Sequence, residues 1–293
     1  MAITASKAFE EFRRNLEITP LQSATVSSRQ QNVRNVVAAG FIVLSDFQTG
    51  SYSRSTMIAP LSEADVDIFF VLDPQHFQNY NGKNGGPAGL LDSVKRTLQR
   101  TYTRTPDISR NGQAVSVRFT DFVVDVVPGF NRQGGGYLIP DAIGNRWLET
   151  DPRSHVELIS DSNKAHNGDL VPLIKMIKGW NKNSGSFFRS FHLEVLALSI
   201  LNNISISNYP SGIRYFFEQG QRLISEKNPD PAGYGDDVGR YIDNADKVRD
   251  AINRFQTAYE RAARAEGSAA RGQSRDAIDT WGKLFGSYFP TYG

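Results

Sequence analysis

The sequence contains no cysteine among its 293 residues, and no stretch of it approaches the ~20 consecutive apolar residues of a membrane-spanning helix. The absence of cysteine excludes a disulfide framework and a thiolate metal site, and it fits a reducing compartment. The N-terminus also lacks the basic and apolar regions of a secretory signal. We therefore expect a cytoplasmic protein that has no membrane partner.

An excess of charge of one sign is missing as well. The 33 lysine and arginine residues nearly balance the 31 aspartate and glutamate residues. The chain therefore lacks the overall basic field that attracts long nucleic acids, and we expect no such partner. An anionic ligand would have to be bound by a local arrangement of residues.

The chain changes its pattern once. Helical spacing of apolar residues over about residues 5–18 and 22–39 precedes short β-branched and aromatic runs that are typical of strands. These runs are "FIVLSDFQTGS", "DVDIFFVLD" and "QAVSVRFTDFVVDVVPGF", the last of which predicts two strands bent at Thr120 and Asp121, and a helix "LLDSVKRTLQRTY" lies among them.

The second half of the chain has helical periodicity. It includes "GDLVPLIKMIKGWNK", "SFFRSFHLEVLALSILNN", "GIRYFFEQGQRLI" and "DDVGRYIDNADKVRDAINRFQTAYERAARA". The stretch "RAARAEGSAARGQSR" is of low complexity, and we expect a frayed or exposed helix there. The predicted fold class is α+β. The predicted domains are residues 1–160, with N-terminal helices and a catalytic core, and residues 161–293, a helical lobe with a short tail.

Asp65 and Asp67 begin the strand "DVDIFFVL". Residues i and i+2 of a strand face the same side of a sheet, so the two carboxylates share a small volume. They would repel each other and raise each other's pKa unless a cation lay between them. Hard oxygen ligands suit Mg²⁺ or Mn²⁺ better than zinc. The alternative is a pair of solvated acids at the start of a strand.

Asp125 is a third carboxylate, and it lies between pairs of valines in "FVVDVVP". An unpaired ionised group in such surroundings is costly to bury, so Asp125 needs a cationic partner. If its strand lies beside the strand of Asp65 and Asp67, the three acids form an open cage with room for two metal ions. The alternative is an edge-strand residue that faces water.

Gly50 and Ser51 form a turn after the first predicted strand, and 13 residues separate this turn from Asp65. A Gly-Ser turn that leads into a helix offers backbone N–H groups and a hydroxyl to a polyphosphate. Such turns are common, but this one is followed by an Asp-x-Asp strand and then by a strand with an isolated aspartate. That combination is typical of the polymerase-β-like nucleotidyltransferases.

The chain resembles the bacterial CD-NTases, over roughly residues 50–201. These enzymes are relatives of cyclic GMP-AMP synthase and oligoadenylate synthetase, and they make cyclic oligonucleotide signals in CBASS anti-phage defence. The likeness is carried by "GSYSRST", "DVDIFFVL", "GQAVSVRFTDFVVDVVPGF", "GGYLIPD", "RWLETDPRSH", "LVPLIKMIKGWN" and "RSFHLEVLALSI". It implies a polymerase-β-like core, a twisted mixed sheet with helices, packed against an α-helical lobe similar to that of oligoadenylate synthetase.

The resemblance also implies roles for particular residues. Asp65, Asp67 and Asp125 match the triad that binds two Mg²⁺ or Mn²⁺ ions, and the third acid helps to activate the attacking 3′-hydroxyl. Gly50 and Ser51 match the turn that holds the triphosphate of the donor nucleotide.

Four further residues match nucleotide contacts of the helical lobe. Lys178 matches a lysine that contacts phosphates, with Lys175 as a second one. Ser190 matches a polar residue on the triphosphate, and Phe191 matches an aromatic residue on which a base stacks and which is often tyrosine in relatives. On general grounds, two lysines three residues apart are usually solvated, and a phenylalanine on an apolar helix is usually part of the core.

The expected partners are nucleoside triphosphates and CBASS accessory proteins in a bacterial cytoplasm. We also expect a partner of the ubiquitin-activating type to conjugate the chain through Gly293, because many relatives close with a small residue. The alternatives are a nucleotidyltransferase that acts on tRNA, a protein or a small molecule, one that makes linear oligonucleotides, and a degenerate fold member that only binds. Intact acids at all three positions argue against the last of these.

Overall fold

The computed structural model describes residues 4–103 and 107–293, which form two compact units. The sheet unit comprises Ile18–Val156, and the helical unit comprises residues 4–17 together with 157–293. The structure therefore groups the first helix with the C-terminal part of the chain. The assignment of residues 1–160 and 161–293 as domains stays a prediction.

The helices and strands have the following bounds. The helices are α1 (Ala5–Asn15), α2 (Pro20–Gly40), α3 (Gly50–Ser53), α4 (Pro74–Tyr80), α5 (Gly86–Thr101), α6 (Pro152–Ala165), α7 (Leu170–Asn183), α8 (Ser190–Leu201), α9 (Tyr209–Leu223), α10 (Ala245–Ala270) and α11 (Ser274–Phe285). The strands are β1 (Val43–Thr49), β2 (Asp65–Leu72), β3 (Asp107–Asn111), β4 (Ala114–Arg118), β5 (Val123–Asn131), β6 (Tyr137–Asp141) and β7 (Arg146–Thr150). Short 3₁₀ turns occupy Leu61–Glu63 and Gly286–Tyr288.

The strands form one mixed sheet in the order β1-β2-β5-β4-β3, and β6 extends it by pairing with β5 and β7. Strands β2 and β5 are parallel, and the other pairs are antiparallel. The predicted α+β fold with a mixed sheet is confirmed. Because β5 lies between β2 and β4, the alternative of Asp125 as an edge-strand residue is wrong.

One face of the sheet forms the core of the sheet unit with α2 and α5. Alternate residues of β2, β4 and β5 point to this face, because side chains of a strand alternate between the two sides. The buried cluster contains Val66, Ile68, Phe70, Val115, Val117, Val124 and Val126 from the strands, and Val26, Val33, Val37, Leu90, Leu91, Val94 and Leu98 from the two helices. The residues between them, among them Asp65, Asp67 and Asp125, therefore point to the other face.

The helical unit is built around α7, in which Leu170 and every residue from Pro172 to Asn181 are buried. A helix that is buried on all sides needs neighbours on all sides, and α7 contacts α1, α8, α9 and α11. Aromatic rings from α1, from α11 and from the segment that follows it pack against one another within this unit. They belong to Phe9, Phe12, Trp281, Phe285 and Phe289.

Two predictions for the helical half are wrong. The stretch 236–244 is not helical, because α10 begins only at Ala245. Asp230 and Asp237 accept hydrogen bonds from backbone N–H groups there, for example from Gly235 at 2.7 Å and Gly239 at 2.8 Å, and such bonds compete with a helix.

The stretch "RAARAEGSAARGQSR" is neither frayed nor exposed over most of its length. Ala262 and Ala265 have no exposed surface, and Ser268 is also buried. With Ala258, these small residues form a stripe at helical spacing that lets α10 pack closely against its neighbours α9 and α11. Over residues 4–103 and 107–293, no helix has both the length and the apolar character that crossing a bilayer requires.

Candidate active site

Asp67 and Asp125 are direct partners in the parallel pair of β2 and β5. The same row continues across the sheet to Thr49 of β1 on one side and to Ser116 of β4 on the other. Asp65 is two residues from Asp67 and pairs with Val123 in the next row. The predicted acids therefore lie on neighbouring strands and on one face, as the spacing of Asp65 and Asp67 requires.

Asp67 lies at the electrostatic centre of this group. Burial, together with the charges of Asp125 and Asp65, raises the pKa of Asp67 to about 7, while Arg54 opposes the shift. A neighbouring carboxylate disfavours ionisation, so the shift shows that the three acids interact through space. Arg54 is itself buried, and it is not among the residues that the sequence predicted for the site.

Asp125 is buried, whereas Asp65 is exposed. Burial raises the pKa of Asp125, and a hydrogen bond from Ser116 and the charge of Arg118 lower it. Its Oδ1 is buried and has no hydrogen-bond partner among the residues that the structure describes. A buried carboxylate oxygen that lacks a partner is costly unless something binds it.

Gly50 and Ser51 form the start of α3, directly after β1, as predicted. Gly50 has a φ of +68°, and a β-carbon at this position would lie 1.7 Å from Oδ2 of Asp67. The carbonyl oxygen of Ser51 accepts hydrogen bonds from the N–H groups of Thr56 and Met57, at 2.9 and 3.1 Å. The turn is therefore held firmly, and its glycine lies against the carboxylate of Asp67.

The other four predicted residues belong to the helical unit. Lys178 and Lys175 are both buried, so the alternative of solvated lysines is wrong. Lys178 forms an ion pair with Glu194, with Nζ 2.6 Å from Oε1, and neither side chain is more than 5% exposed. Lys175 pairs in the same way with the more exposed Glu17. Neither glutamate was predicted, because Glu194 lies on α8 and Glu17 lies in the segment after α1, both distant in sequence from α7.

Ser190 and Phe191 begin α8. Ser190 is exposed and Phe191 is half-buried, while the following residues from His192 to Ala197 are buried. Phe191 is thus less enclosed than the core residues that follow it. His192 contacts the hydroxyl of Tyr241 through Nδ1 at 3.0 Å and is part of the interior.

The three acids fit a divalent metal by chemistry, although no described group of three or more histidine, aspartate or glutamate side chains has an arrangement ready to hold one. The donors are carboxylate oxygens, which Mg²⁺ and Mn²⁺ prefer. A cation would also resolve the two unfavourable features of the site, the mutual repulsion around Asp67 and the lone Oδ1 of Asp125.

The part of the chain that contains this site matches a known protein family. Residues 3–163, more than half of the chain, match the model of the Second Messenger Oligonucleotide or Dinucleotide Synthetase (SMODS) domain. The chain belongs to the SMODS family. The matched residues include Gly50, Ser51 and all three acids, so the site described above lies within the SMODS domain.

Several named proteins are similar to this SMODS protein along most of its length. A probable cyclic nucleotide synthase of Bacillus cereus (strain VD146) is 29% identical over 272 residues, which cover 83% of this chain and 81% of the relative. A cyclic AMP-AMP-AMP synthase of Acinetobacter sp. (strain ATCC 27244 / 9458) is 29% identical over 262 residues, which cover 83% of this chain and 72% of the relative.

Solved structures share the fold of this SMODS protein. The CD-NTase CdnG of Bradyrhizobium diazoefficiens, in complex with GTP, superposes with a TM-score of 0.74 at 14% identity and covers 96% of this chain and 94% of its own. CdnC of E. coli MS115-1, in a complex with HORMA, has a TM-score of 0.69 at 17% identity and covers 97% of this chain and 98% of its own.

These comparisons confirm two predictions. The chain is a bacterial CD-NTase with the α+β fold of that group, and its enzyme class is that of the cyclic oligonucleotide synthases. Membership in a nucleotidyltransferase family also implies the use of divalent metal ions in general.

Proposed function

We propose that this CD-NTase joins nucleoside triphosphates, without a template, into a cyclic di- or trinucleotide that signals in CBASS anti-phage defence. The observation that carries the proposal is the row formed by Asp67 and Asp125, with Asp65 beside it and Gly50 against Asp67. The relative named a cyclic AMP-AMP-AMP synthase supports a trinucleotide product. The choice of bases and linkage depends on residues that this row does not include.

Asp65, Asp67 and Asp125 would hold two Mg²⁺ or Mn²⁺ ions. Such ions, when bound, lower the pKa of an attacking hydroxyl and neutralise the charge of the leaving pyrophosphate. Burial in the sheet keeps the carboxylates of Asp67 and Asp125 from full solvation, which leaves them available to a cation. Of the three acids, Asp67 is the one whose loss of a proton depends most on its surroundings.

Catalysis by the chain's own residues would consist mainly of positioning. The carboxylate of Asp125 would help to activate the attacking ribose hydroxyl and orient it toward the α-phosphorus of the donor. The new P–O bond forms as the bond to pyrophosphate breaks, and the hydroxyl proton is released. Gly50 and Ser51 would hold the triphosphate through backbone N–H groups and the serine hydroxyl. A second transfer in the linear intermediate would close the ring.

The helical unit would supply the remaining contacts. Lys178 and Lys175 would contact phosphates, Ser190 would donate a hydrogen bond to the triphosphate, and Phe191 would stack on a base. The exposure of Ser190 and the partial exposure of Phe191 support these roles. Lys178 would act from a fixed position, because Glu194 holds its ammonium group.

The proposed partners follow from the relatives. Structures of CD-NTases with ATP, with GTP and with a HORMA protein support nucleoside triphosphates as substrates and an accessory protein as partner of this chain. A location in the cytoplasm agrees with such substrates. Conjugation at Gly293 by an enzyme of the ubiquitin-activating type stays a prediction.

The test is synthesis from defined substrates. Purified protein, supplied with the four nucleoside triphosphates and Mg²⁺ or Mn²⁺, should release pyrophosphate and form a product that resists alkaline phosphatase, because a ring has no terminal phosphate. Its mass identifies the bases. Asp67→Asn and Asp125→Asn should each lower turnover by about 100-fold or more, since each removes a charge from the site.

Asp92→Asn is the matched control. Asp92 lies on α5 and pairs with Arg110 at 3.3 Å in an exposed position, so turnover should stay at the wild-type level. A phosphatase-sensitive product would indicate a synthase of linear oligonucleotides. Incorporation only onto added tRNA, protein or a small molecule would overturn the proposal in favour of the alternative substrates.

A further inference from the structure

Ser116 is placed directly beside the third acid. It is the partner of Asp125 in the antiparallel pair of β4 and β5, so both side chains lie on the same face of the sheet. Ser116 is 3% exposed, and its hydroxyl acts on the carboxylate of Asp125 as a hydrogen-bond donor that lowers the pKa of this carboxyl. Its neighbours Val115 and Val117 point to the opposite face and belong to the core.

The two oxygens of Asp125 are therefore treated differently. Ser116 lies beside the carboxylate on the neighbouring strand, whereas Oδ1 is buried with no hydrogen-bond partner in residues 4–103 and 107–293. In the ionised form that would bind a metal ion, the nearby Asp65 and Asp67 are acceptors only and supply no hydrogen to this oxygen. When one oxygen of a carboxylate is anchored, the side chain is held in one rotamer, and the other oxygen points in a defined direction.

We propose that Ser116 is a positioning residue, which anchors the carboxylate of Asp125 so that Oδ1 stays available to a divalent metal ion. The inference rests on the proposed function, since it assigns to Ser116 a task in the metal site proposed there. Partners that orient a ligating carboxylate affect metal affinity by about 10–100-fold in known metal sites. Ser116 acts through Asp125 and does not itself touch the reacting atoms.

Ser109 provides the natural contrast to Ser116. It is the partner of Ser116 in the pair of β3 and β4, so it continues the same row one strand farther from Asp125. It is half-buried and shares the residue type and the strand environment. If a serine in this row served only the packing of the sheet, the two positions would respond alike to substitution.

The experiment compares Ser116→Thr with Ser116→Val in the full chain. Threonine and valine have nearly the same shape, so the two variants impose the same packing change and differ only in the hydroxyl. Ser116→Ala and Ser109→Ala complete the set. Mn²⁺ binding is measured by electron paramagnetic resonance, with a non-hydrolysable ATP analogue present, and thermal unfolding of each variant without metal is recorded beside it.

We expect Ser116→Val and Ser116→Ala to bind Mn²⁺ about tenfold more weakly than wild type, and Ser116→Thr and Ser109→Ala to stay within about threefold of it. Equal affinity of the threonine and valine variants would overturn the role of Ser116 and leave the proposed function intact. An equal loss in Ser109→Ala would overturn it too. Failure of the wild-type protein to bind Mn²⁺ would instead refute the proposed metal site, and this inference with it.

Discussion

Gly50 and Asp67 lie so close together that a β-carbon on residue 50 would stand 1.7 Å from Oδ2 of Asp67. The backbone of Gly50 also has a φ of +68°, a conformation that residues with a side chain rarely adopt. Glycine is therefore required at position 50 for two separate reasons, the positive φ of the turn and the close approach of Asp67. Its missing side chain leaves the space that the carboxylate of Asp67 occupies.

Gly50→Ala should abolish most of the activity. The alanine methyl group has to displace either the turn or the carboxylate of Asp67, and both belong to the proposed site. We expect turnover to fall by about 100-fold or more, with a loss of stability of about 1–2 kcal/mol from the backbone conformation alone. Pyrophosphate release and chemical unfolding measure the two effects.

Gly112→Ala separates the effect of the positive φ from the effect of the contact with Asp67. Gly112 has a φ of +60°, and among the described atoms none lies within 4 Å of the β-carbon that alanine would add. This variant should therefore lose similar stability from the backbone and keep its turnover. If both variants lost activity to the same extent, the contact between Gly50 and Asp67 would not explain the effect.

Asp67→Asn should stabilise the metal-free protein at alkaline pH, although it removes activity. The pKa of Asp67 is raised to about 7 in the folded state, above its value of 3.8 in the unfolded chain. Between these two values the folded state holds a proton that the unfolded state has lost, so the wild-type protein loses stability as pH rises from about 4 to about 7. Asparagine does not titrate and escapes this loss.

Thermal unfolding in the presence of a chelator tests this prediction. The melting temperature of Asp67→Asn should exceed that of wild type by several degrees at pH 8, and by less at pH 5, where the wild-type side chain is still mostly protonated. A lower melting temperature of the variant at pH 8 would show that the ionised Asp67 is stabilised by its surroundings in the metal-free protein.

The sequence was sufficient to predict the acids of the candidate site. Asp65 and Asp67 stand at the start of a β-branched and aromatic run, and Asp125 interrupts a second one, so strand periodicity alone placed each on a face. The pairing of β2 with β5 then followed the family resemblance. Gly50 was identified for the same reason, but its contact with Asp67 required coordinates.

Other features could not be predicted because they depend on contacts between distant segments. The buried Glu194 forms an ion pair with Lys178 of another helix, and the role proposed for Ser116 depends on the register of β4 with β5. The strands β6 and β7 were missed, since "GYLIPDAIGNRWLET" contains proline, glycine and asparagine and lacks a long β-branched run. Strand β3 was missed because its sequence, "DISRN", is mostly polar. The burial of the alanines of α10 was not predicted, because alanine is only weakly hydrophobic and the stretch was interpreted as low complexity.

Substitutions in the buried pair of Lys178 and Glu194 can distinguish a structural role of Lys178 from a role in binding the substrate. Lys178→Met or Glu194→Met alone leaves one charge buried without its partner, and each should cost about 3 kcal/mol or more of the free energy of unfolding. The double variant removes both charges and should recover stability to within about 1 kcal/mol of wild type. Denaturant unfolding gives these values.

Turnover of the double variant is the decisive measurement. If Lys178 contacts phosphates as proposed, the stable double variant should still show a KM for nucleoside triphosphates raised by about tenfold, because a charged hydrogen bond is lost. Wild-type kinetics in the double variant would assign the pair to stability alone. Lys175→Met serves as a comparison, since its partner Glu17 is 48% exposed and its loss should cost less stability.

His192 should make the protein sensitive to acid. Burial, together with the charge of Arg189, lowers the pKa of His192 from 6.5 to about 4, while the charge of Asp237 opposes this shift. Between pH 6.5 and about 4 the unfolded chain binds a proton at this residue that the folded chain does not. Stability therefore falls as pH falls through this window, by about 3 kcal/mol at its acid end.

His192→Asn should make this part of the stability profile flatter. Asparagine places a polar group near the position of Nδ1, which contacts Tyr241 at 3.0 Å, and it cannot take up a proton. The change in packing lowers stability at every pH, so the quantity to compare is the difference between urea unfolding at pH 7 and at pH 4.5. That difference should be smaller in the variant by about 2 kcal/mol. An unchanged difference would mean that other groups cause the acid sensitivity, and that the folded state accommodates the charged imidazole of His192.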